Sequence, residues 1–382
     1  MLQIESRQFA VERGLFACIQ CGKCTGGCPM AIKTRLNPRD LIYRVLVSGN
    51  GFNLEGREEL WDCTTCFTCY SRCPKQVNPM EAILAMRGAI VEKGKIHPNV
   101  KTALESTFRN GNPLKMPRSD RAEWAKELQL KAFPDGGADY LFYVGCTPSY
   151  DPRGQKVAHA LVRILGSVGM DFGILGNDEN CCASEVRRLG EAGLFEAMVE
   201  ENTAAFADLG VQKMFTVSPH CFNVFKNDYQ KLEVGAKFSA QVQHYTQVMA
   251  ELVRDGRLKF NGSFEQKVTY HDPCYLGRHN GIFDEPRAIL QGIPGLELIE
   301  MDRSREKSLC CEGGGGRMFL EGTNPGTRLA QMRVQEALDS GAAVLATACP
   351  FCLLTLEEAV KHLNAEEKLR VLDIAEIAER AL

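Results

Sequence analysis

The sequence predicts an α+β protein of several domains, with a mainly α N-terminal domain followed by two repeated α/β modules. Three observations predict this fold class. Seventeen cysteines fall in tight groups along a chain of 382 residues. The groups after residue 138 form two sets with matching spacing, which indicates an internal duplication. Around these sets, β-rich runs alternate with segments of helical periodicity, a pattern typical of a mostly parallel sheet with helices on its faces.

The composition excludes several classes of protein. Apolar residues make up 45% of the chain and charged residues 24%, as in soluble globular proteins. The net charge of −3 provides no basic field for nucleic acid. No apolar run reaches the roughly 18–20 residues that span a bilayer, and the first residues lack an apolar signal core. We therefore expect a cytoplasmic protein, which a partner could hold at the cytoplasmic face of a membrane.

The cysteine groups divide the chain into a first domain, a linker and two repeats, at residues 1–98, 99–138, 139–262 and 263–382. The first domain has three helix-like segments, around Ser6–Phe16, Pro38–Ser48 and Pro79–Glu92. The linker holds no cysteine and carries the breakers NGNPLKMPRSD and FPDGG, so we predict one or two short helices there. The C-terminal stretch VLDIAEIAERAL is predicted to form an amphipathic helix.

The first eight cysteines form two copies of one motif, Cys-x2-Cys-x2-Cys-x3-Cys-Pro, in CIQCGKCTGGCP and CTTCFTCYSRCP. This spacing is typical of proteins with two cubane [4Fe–4S] clusters, in which the fourth cysteine of each motif ligates the other cluster. We therefore predict one cluster at Cys18, Cys21, Cys24 and Cys73, and another at Cys63, Cys66, Cys69 and Cys28. Structural zinc is the alternative, which the triplets disfavour because zinc knuckles use paired Cys-x2-Cys motifs.

In each later repeat, a cysteine follows a first β-rich run, a Cys-Cys pair comes next, and a last cysteine motif follows a second β-rich run. The runs are DYLFYVGC and VQKMFTVSPHC in the first repeat, and KVTYHDPC and AAVLATACPFC in the second. The two sets are Cys146, Cys181, Cys182 and Cys221, and Cys274, Cys310, Cys311, Cys349 and Cys352. Because ligands gather at the carboxyl ends of parallel strands, we expect each set of thiols at one edge of a sheet.

The second repeat offers five thiols, one more than a cubane cluster or a structural zinc takes. A fifth thiolate suits a larger or opened cluster with one reactive position. The cysteine pair is followed by glycines that would let the backbone pass close to a cluster and bond its sulfides: Gly313, Gly314, Gly315 and Gly316. A nucleotide-binding loop is disfavoured, because a Cys-Cys pair stands where that loop needs a buried strand.

These motifs carry a family resemblance. FACIQCGKCTGGCP and LWDCTTCFTCYSRCP resemble the ferredoxin-type C subunit of heterodisulfide reductase, and TYHDPCYLGR, CCEGGGGRM and TACPFC resemble its catalytic B subunit. Apart from the linker, the chain is similar to the D-type subunit, in which the C-type and B-type sequences are fused. In that family a complete five-cysteine repeat binds a noncubane [4Fe–4S] cluster that cleaves disulfides. The resemblance therefore implies a reaction centre at the second repeat, although Glu312 stands where the family usually has glycine.

The first repeat departs from that pattern, because Ser218 stands where the second repeat has Cys349. Four thiols remain, which would suit an iron–sulfur cluster, a zinc ion or no metal. His220 is a candidate extra ligand or hydrogen-bond donor, although packing is the commoner role of such a residue.

Four further residues have two open interpretations each. His271 and Asp272 would either pass protons to a leaving thiolate or form a turn at a strand end. Arg278 and Arg317 would either attract an anionic substrate or lie solvated at the surface.

The resemblance implies an iron–sulfur oxidoreductase subunit that passes electrons through two cubane clusters to the noncubane cluster, where a disulfide or related sulfur substrate is reduced. Its partner would be a flavin-containing donor like the A-type subunit of heterodisulfide reductase, an electron-transfer flavoprotein or a membrane cytochrome. The alternative is an electron-transfer subunit of a larger flavoprotein or aromatic-CoA reductase complex, without substrate chemistry of its own. A zinc-stabilised scaffold is a third hypothesis, which the eight-cysteine domain argues against.

Overall fold

A computed structural model describes residues 2–49, 51–134, 137–324 and 326–382. The N-terminal domain is mainly α, as predicted. Its helices are α1 Ser6–Glu12, α2 Lys23–Gly27, α3 Pro38–Val47, α4 Thr68–Ser71 and α5 Pro79–Glu92, and α6 Pro98–Asn110 follows. A short strand β1 (Gln3–Ile4) pairs antiparallel with β2 (Phe52–Asn53).

Each four-cysteine motif leads into a helix that begins in the same way. Before α3, the Asn37 side chain accepts the N–H of Asp40 at 3.0 Å. Before α5, the Asn78 side chain accepts the N–H of Glu81 at 3.2 Å. A proline takes the first position of both helices. Asparagine caps, an initial proline and a first-turn carboxylate all stabilise a helix N-terminus, so the helices start at these fixed points.

The two repeats fold as α/β modules with one strand order. The strands are β3 Lys131–Ala132, β4 Tyr140–Tyr143, β5 Phe172–Ile174, β6 Lys213–Thr216, β7 Gln241–His244, β8 Lys267–Tyr270, β9 Glu297–Ile299, β10 Val344–Thr347 and β11 Arg370–Asp373. All pairs are parallel, in the orders β3-β5-β4-β6-β7 and β11-β10-β8-β9. Apart from β3, the second order matches the first strand for strand, which confirms the predicted duplication.

Helices cover the sheets as the periodicity predicts. They are α7 Cys146–Tyr150, α8 Pro152–Ser167, α9 Ser184–Arg188, α10 Ala192–Asp208, α11 Pro219–Asn223, α12 Tyr245–Arg254, α13 Gly277–Asn280, α14 Asp284–Gln291, α15 Leu329–Asp339, α16 Pro350–His362 and α17 Ile374–Glu379. In the part of the chain that the structure describes, no helix combines the length and apolar character needed to cross a bilayer.

The stretch predicted as a linker lies against the first module. Val100 and Leu104 of α6 pack into a core formed with first-module residues. Trp124 is buried in a second core, and β3 pairs with β5 to extend the first sheet. Asp135 and Gly136 of the FPDGG breaker lie outside the described residues.

The two modules share one core through their helices. Side chains of α8, α12, α16 and α17 belong to one buried apolar cluster. Arg153 of α8 pairs with Glu376 of α17 at 2.7 Å, and Tyr245 donates a hydrogen bond to Asp373 at 2.5 Å. In VLDIAEIAERAL, residues 371–373 end strand β11 and only the following residues are helical, so the helix prediction for this stretch was too long.

One buried arginine joins all three parts of the protein. Arg87 of α5 is fully buried, and its guanidinium donates five hydrogen bonds of 2.7–3.0 Å to backbone carbonyls. The acceptors are Leu60 and Cys63 in the N-terminal domain, Arg188 in the first module and Gly315 in the second. Because only arginine presents five donors in one plane, no other side chain makes this junction.

We expect Arg87→Met to lower the free energy of unfolding by about 3–5 kcal/mol, because four buried carbonyls lose their donor. The measurement is anaerobic thermal unfolding followed by circular dichroism. Arg44→Met is the matched control, because Arg44 is half exposed and pairs only with Asp40 on the surface of α3; its effect should stay within about 0.5 kcal/mol. Equal unfolding midpoints for the two variants would contradict the junction role of Arg87.

Asp373 should make stability depend on pH. Burial raises the pKa of its carboxyl to about 7, although Tyr245 and the Ala375 amide donate to it. The folded state therefore holds a proton that the unfolded state has released, so stability falls as pH rises from about 4 to about 7. Asp373→Asn keeps a helix-capping side chain and should be more stable than the natural protein at pH 8. Unfolding midpoints measured at pH 5 and pH 8 test this. If the midpoint of the variant changed with pH as much as that of the natural protein, Asp373 would not be the source of the pH dependence.

Candidate functional site

All seventeen cysteines are free thiols, and those of the N-terminal domain lie in two groups that cross the two motifs. Cys28 lies beside Cys63 and Cys66, and burial together with these thiols raises its pKa. Cys69 lies beside the thiols of Cys28, Cys63 and Cys66. We call this set of four the inner ferredoxin site. The outer ferredoxin site is a small cavity lined by Cys18, Cys21, Cys24 and Cys73.

The backbone of both motifs bends at the same two positions. Gln20 and Thr65 have φ values of 55° and 52°, and Gly22 and Phe67 have values of 77° and 68°. A left-handed phenylalanine is strained, because its Cβ crowds the backbone. The Phe67 ring stacks on His279 with a centroid distance of 4.4 Å, a packing contact that favours this conformation. These bends turn the chain around each group of thiols.

Five buried thiols form the second-module site, at the carboxyl ends of β8 and β10: Cys274, Cys310, Cys311, Cys349 and Cys352. The Sγ atoms of Cys311 and Cys352 lie 3.1 Å apart. Cys349 is the N-cap of α16, and Cys352 lies in its first turn. The structure thus gathers at one sheet edge the five thiols that the sequence analysis assigned to one site.

The second-module site lies directly against the inner ferredoxin site. Cys310 lies beside Cys66, and its thiol is 3.4 Å from Oγ1 of Thr64. Tyr275 and Thr65 share a hydrogen bond of 2.6 Å between their hydroxyls. These contacts leave neighbouring thiols of two sites side by side, a proximity that sequence spacing does not reveal.

The glycines after Cys311 are needed for the approach of other backbone segments. A Cβ on Gly315, which has a φ of 69°, would lie 2.4 Å from the carbonyl oxygen of Cys63. A Cβ on Gly314 would lie 2.9 Å from the carbonyl oxygen of Thr64. The described contacts therefore give these two glycines a packing role against the backbone of Cys63 and Thr64 in the N-terminal domain. The prediction that Gly313, Gly314 and Gly315 bind a cofactor stays a prediction.

Glu312, the departure from the family pattern, holds two cations. It adopts a φ of 68° and is fully buried. Its carboxylate lies 2.9 Å from Arg317 and 3.4 Å from Lys33 of the N-terminal domain, and it accepts the Leu329 N–H at 2.8 Å. Burial opposes ionisation, but the Leu329 amide and Arg317 lower the pKa of Glu312. Arg317 is therefore a buried partner of Glu312, and its solvated interpretation is wrong.

Arg278 and Asp272 are also bound within the protein. Arg278 donates to the carbonyls of Cys66 at 2.8 Å and Ser308 at 2.6 Å, so it bridges the inner ferredoxin site and the second module. Asp272 forms two hydrogen bonds with Arg287, of 2.7 and 3.0 Å.

The first-module site consists of four thiols: Cys146, Cys181, Cys182 and Cys221. Arg121 donates to Cys146 at 3.6 and 3.7 Å and pairs with Glu179 at 2.6 Å. Sequence analysis missed Arg121, because it lies in the predicted linker with no motif around it. The Ser218 hydroxyl accepts the His220 N–H at 3.3 Å, so it caps α11.

His220 belongs to the first module but contacts the second-module site. Its Nδ1 lies 3.2 Å from Oε1 of Glu185, and its ring packs on Tyr275 and Phe351 with centroid distances of 4.2 and 4.7 Å. Burial disfavours the charged ring, but hydrogen bonds with Cys349 and Glu185 raise the pKa of His220 to about 9. The ring packing agrees with the commoner role expected from the sequence, whereas the contact with the second-module site could not be expected, because no sequence signal joins the two modules.

An apolar cavity of about 320 Å³ opens at the first-module site. All four thiols of that site line it, together with His220 and Phe351 from the side of the second-module site. Its apolar wall consists of Pro113, Leu114, Met116, Met318, Phe319 and Leu354. The cavity therefore offers a small apolar molecule access to the first-module thiols and to His220.

Comparisons with known proteins agree with these groups of thiols. Residues 14–77 match a family described as a 4Fe-4S dicluster domain, and residues 140–226 and 268–357 each match the cysteine-rich domain family CCG.

Three curated proteins are similar over nearly the whole chain. The probable iron-sulfur-binding oxidoreductase FadF of Bacillus subtilis is 34% identical over 96% of this chain and 60% of its own length. The EtfAB:quinone oxidoreductase of Syntrophomonas wolfei is 34% identical over 96% and 58%. The D subunit of the dihydromethanophenazine:CoB–CoM heterodisulfide reductase of Methanosarcina barkeri is 32% identical over 96% and 94%. The chain thus spans about three-fifths of the first two relatives and almost all of the third.

Proposed function

Because the chain belongs to the family of heterodisulfide reductase D subunits, we propose that this iron–sulfur oxidoreductase subunit carries electrons between a redox partner and a sulfur substrate. The proposal assigns two cubane [4Fe–4S] clusters to the ferredoxin sites and a noncubane cluster to the second-module site. A further iron–sulfur cluster or a zinc ion belongs at the first-module site. The partner is a flavoprotein or a membrane cytochrome that meets the N-terminal domain.

The residues present fit these groups. Thiolates are the ligands that iron–sulfur clusters prefer, and each site gathers four or five free thiols. Burial and neighbouring thiols raise the pKa of Cys28 and Cys69, so the thiolate form is disfavoured there as long as no metal is bound. Iron binding would reverse that penalty, since the metal stabilises the thiolate form. When bound, the clusters would supply one-electron chemistry at the two ferredoxin sites and the second-module site, and at the first-module site when it holds a cluster rather than zinc.

One observation carries the proposal: residue contacts join the four sites in order. Cys24 of the outer ferredoxin site packs against the small apolar cluster that contains Cys69 of the inner site. Cys21 of the outer ferredoxin site is exposed. Cys66 of the inner site lies beside Cys310 of the second-module site. His220 then connects Cys349 to the cavity at the first-module site. Electron transfer from the protein surface to an apolar cavity requires redox sites that lie next to one another in this way.

The cavity suits the sulfur substrate. Reduction of a disulfide R–S–S–R′ consumes two electrons and two protons and yields the thiols RSH and R′SH. The apolar wall would bind the substrate's carbon chain and exclude water. His220, held by Glu185, lies at the cavity wall with a proton available to a leaving thiolate. The electrons come from the partner.

A second candidate function is electron transfer without substrate chemistry. Ser218 caps α11 with its hydroxyl, so the first-module site has four thiols instead of five. This asymmetry favours a relay, because a complete pair of reaction sites is absent from the described residues. A relative named as an EtfAB:quinone oxidoreductase supports that role, because its name couples one redox partner to another.

If the fourth cysteine of each motif ligates the other motif's cluster, specific pairs of serine variants should lose the same paramagnetic resonance signal. Cys28→Ser should lose the same paramagnetic resonance signal as Cys66→Ser, because both would ligate the inner site. Cys73→Ser should match Cys21→Ser, because both would ligate the outer site. Each variant should lose up to about four of the eight irons of the two cubane clusters. If Cys28→Ser instead matched Cys21→Ser, each motif would hold its own cluster.

Substrate chemistry predicts a signal that depends on a thiol. The oxidised protein is titrated with 2-mercaptoethanesulfonate, and low-temperature paramagnetic resonance spectra are recorded. We expect a new signal that is missing in Cys349→Ser, because His220 at the cavity wall bonds with Cys349 and so joins the cavity to the second-module site. The matched control is 2-hydroxyethanesulfonate, which lacks the sulfhydryl and should leave the spectrum unchanged. An unchanged spectrum with every thiol would leave only the relay function.

A further inference from the structure

His271 lies at the edge of the second-module site and has no role in the function proposed above. It follows β8 directly and is almost completely buried. Its backbone N–H donates to the carbonyl of Ala346 at 2.8 Å, which fixes the residue between β8 and β10. One of its ring nitrogens lies within 4.8 Å of the Sγ atoms of Cys311 and Cys352. The ring would therefore be either a ligand of the group bound there or a hydrogen-bond donor to it.

The hydrogen bond on the other side of the ring decides between these roles. Nε of Arg333 donates to Nδ1 of His271 at 3.1 Å. An arginine N–H can only donate, so Nδ1 must be an unprotonated acceptor. In a neutral imidazole the single proton then resides on Nε2. For Nε2 to bind a metal, the proton would have to move to Nδ1, where it would meet the Arg333 N–H head-on.

Arg333 is itself fixed, so it does not turn away. Its side chain is fully buried. It pairs with Glu336 at 2.7 Å and donates to the carbonyl of Arg303 at 2.8 Å. Ser308 accepts a third hydrogen bond at 3.3 Å. These partners hold Nε against the His271 ring and so determine which ring nitrogen carries the proton.

The remaining ring nitrogen points to no protein acceptor. Nε2 of His271 is buried and has no hydrogen-bond partner among the described residues. Because Nδ1 accepts the Arg333 hydrogen bond, the single ring proton lies on this Nε2 and the ring is neutral. A buried N–H without an acceptor is costly, because it has lost its hydrogen bonds with water. A sulfur atom of the group held by Cys311 and Cys352 would satisfy it.

We propose that His271 donates a hydrogen bond from Nε2–H to a sulfur atom at the second-module site and is not one of its ligands, with Arg333 as the positioning residue. The inference rests on the proposed function, since it requires a cluster at that site. Hydrogen bonds to cluster sulfurs stabilise the reduced state. His271 therefore raises the reduction potential of this site.

The first module has no such donor at the matching position. Three residues before the first cysteine of each set stand Tyr143 and His271. The Tyr143 hydroxyl donates to the carbonyl of Asn180 at 2.6 Å, so its proton is taken. The two modules therefore differ at this position as well as at Ser218, and the His271 hydrogen bond favours the second-module site as the stronger electron acceptor.

Pulsed paramagnetic resonance of the complete, cluster-loaded chain separates donor from ligand. Protein prepared in D2O should show an exchangeable deuteron coupled to the second-module signal, and that coupling should be lost in His271→Phe. The midpoint potential of the same signal should fall. Tyr143→Phe is the control and should change neither. Arg333→Met should weaken the deuteron coupling, because the tautomer is no longer fixed, and the iron content should stay unchanged.

Two results would overturn the inference. A strong coupling to a histidine nitrogen, identified by 15N labelling and lost in His271→Phe, would make His271 a ligand. An iron-loaded second-module site with unchanged couplings and potential in His271→Phe would show that the ring does not contact the cluster. Both results leave the proposed function standing. A second-module site without iron in the natural protein would instead overturn the proposed function and this inference together.

Discussion

The guanidinium of Arg87 is the interaction on which the arrangement of the sites depends. It holds the carbonyls of Cys63, Arg188 and Gly315 around one planar group. Each of these carbonyls belongs to a segment next to a different group of thiols, and that of Arg188 ends helix α9. A buried arginine with only carbonyl partners loses much hydration, and five hydrogen bonds offset that loss. The three segments are consequently fixed relative to one another, and the thiol sites with them.

Close approach at this junction explains why the CCEGGGG loop is so rich in glycine. Gly315 lies against the carbonyl of Cys63, and a Cβ on Gly316 would lie 2.4 Å from Cδ2 of Leu189. The Gly316 N–H donates to Glu185 at 2.8 Å, and Glu185 in turn faces His220. One loop therefore contacts the ferredoxin domain, the first module and the residue that reaches Cys349. Its glycines are required by neighbouring protein segments, whereas a role in wrapping a cluster remains a prediction.

Sequence patterns predicted the local parts of the fold well, because these depend on spacing along the chain. The duplicated alternation of strands and helices, the helices that begin at Pro38 and Pro79, and the position of Cys274 and Cys349 at strand ends all follow from periodicity and motif. The contacts between domains could not be predicted, because they join residues with no common motif. Arg121 lies in a stretch without cysteines, yet it reaches Cys146. His220 belongs to the first module by sequence, yet its ring also contacts Phe351 and Cys349 of the second.

Buried cations compensate the negative charge that thiolate sites would carry. Arg278 lies beside Cys66, Cys274 and Cys310, and these thiols raise the pKa of its guanidinium against the effect of burial. One cation thereby serves the inner ferredoxin site and the second-module site together, and Arg121 does the same for the first-module site. Removing anionic thiolates from water is costly unless a partner of opposite charge accompanies them. In the proposed function, an electron that moved between these two sites would stay close to the same positive charge, because Arg278 is shared. The electrostatic cost of that step would therefore be small, and the contact between Cys66 and Cys310 would suit electron transfer as well as packing.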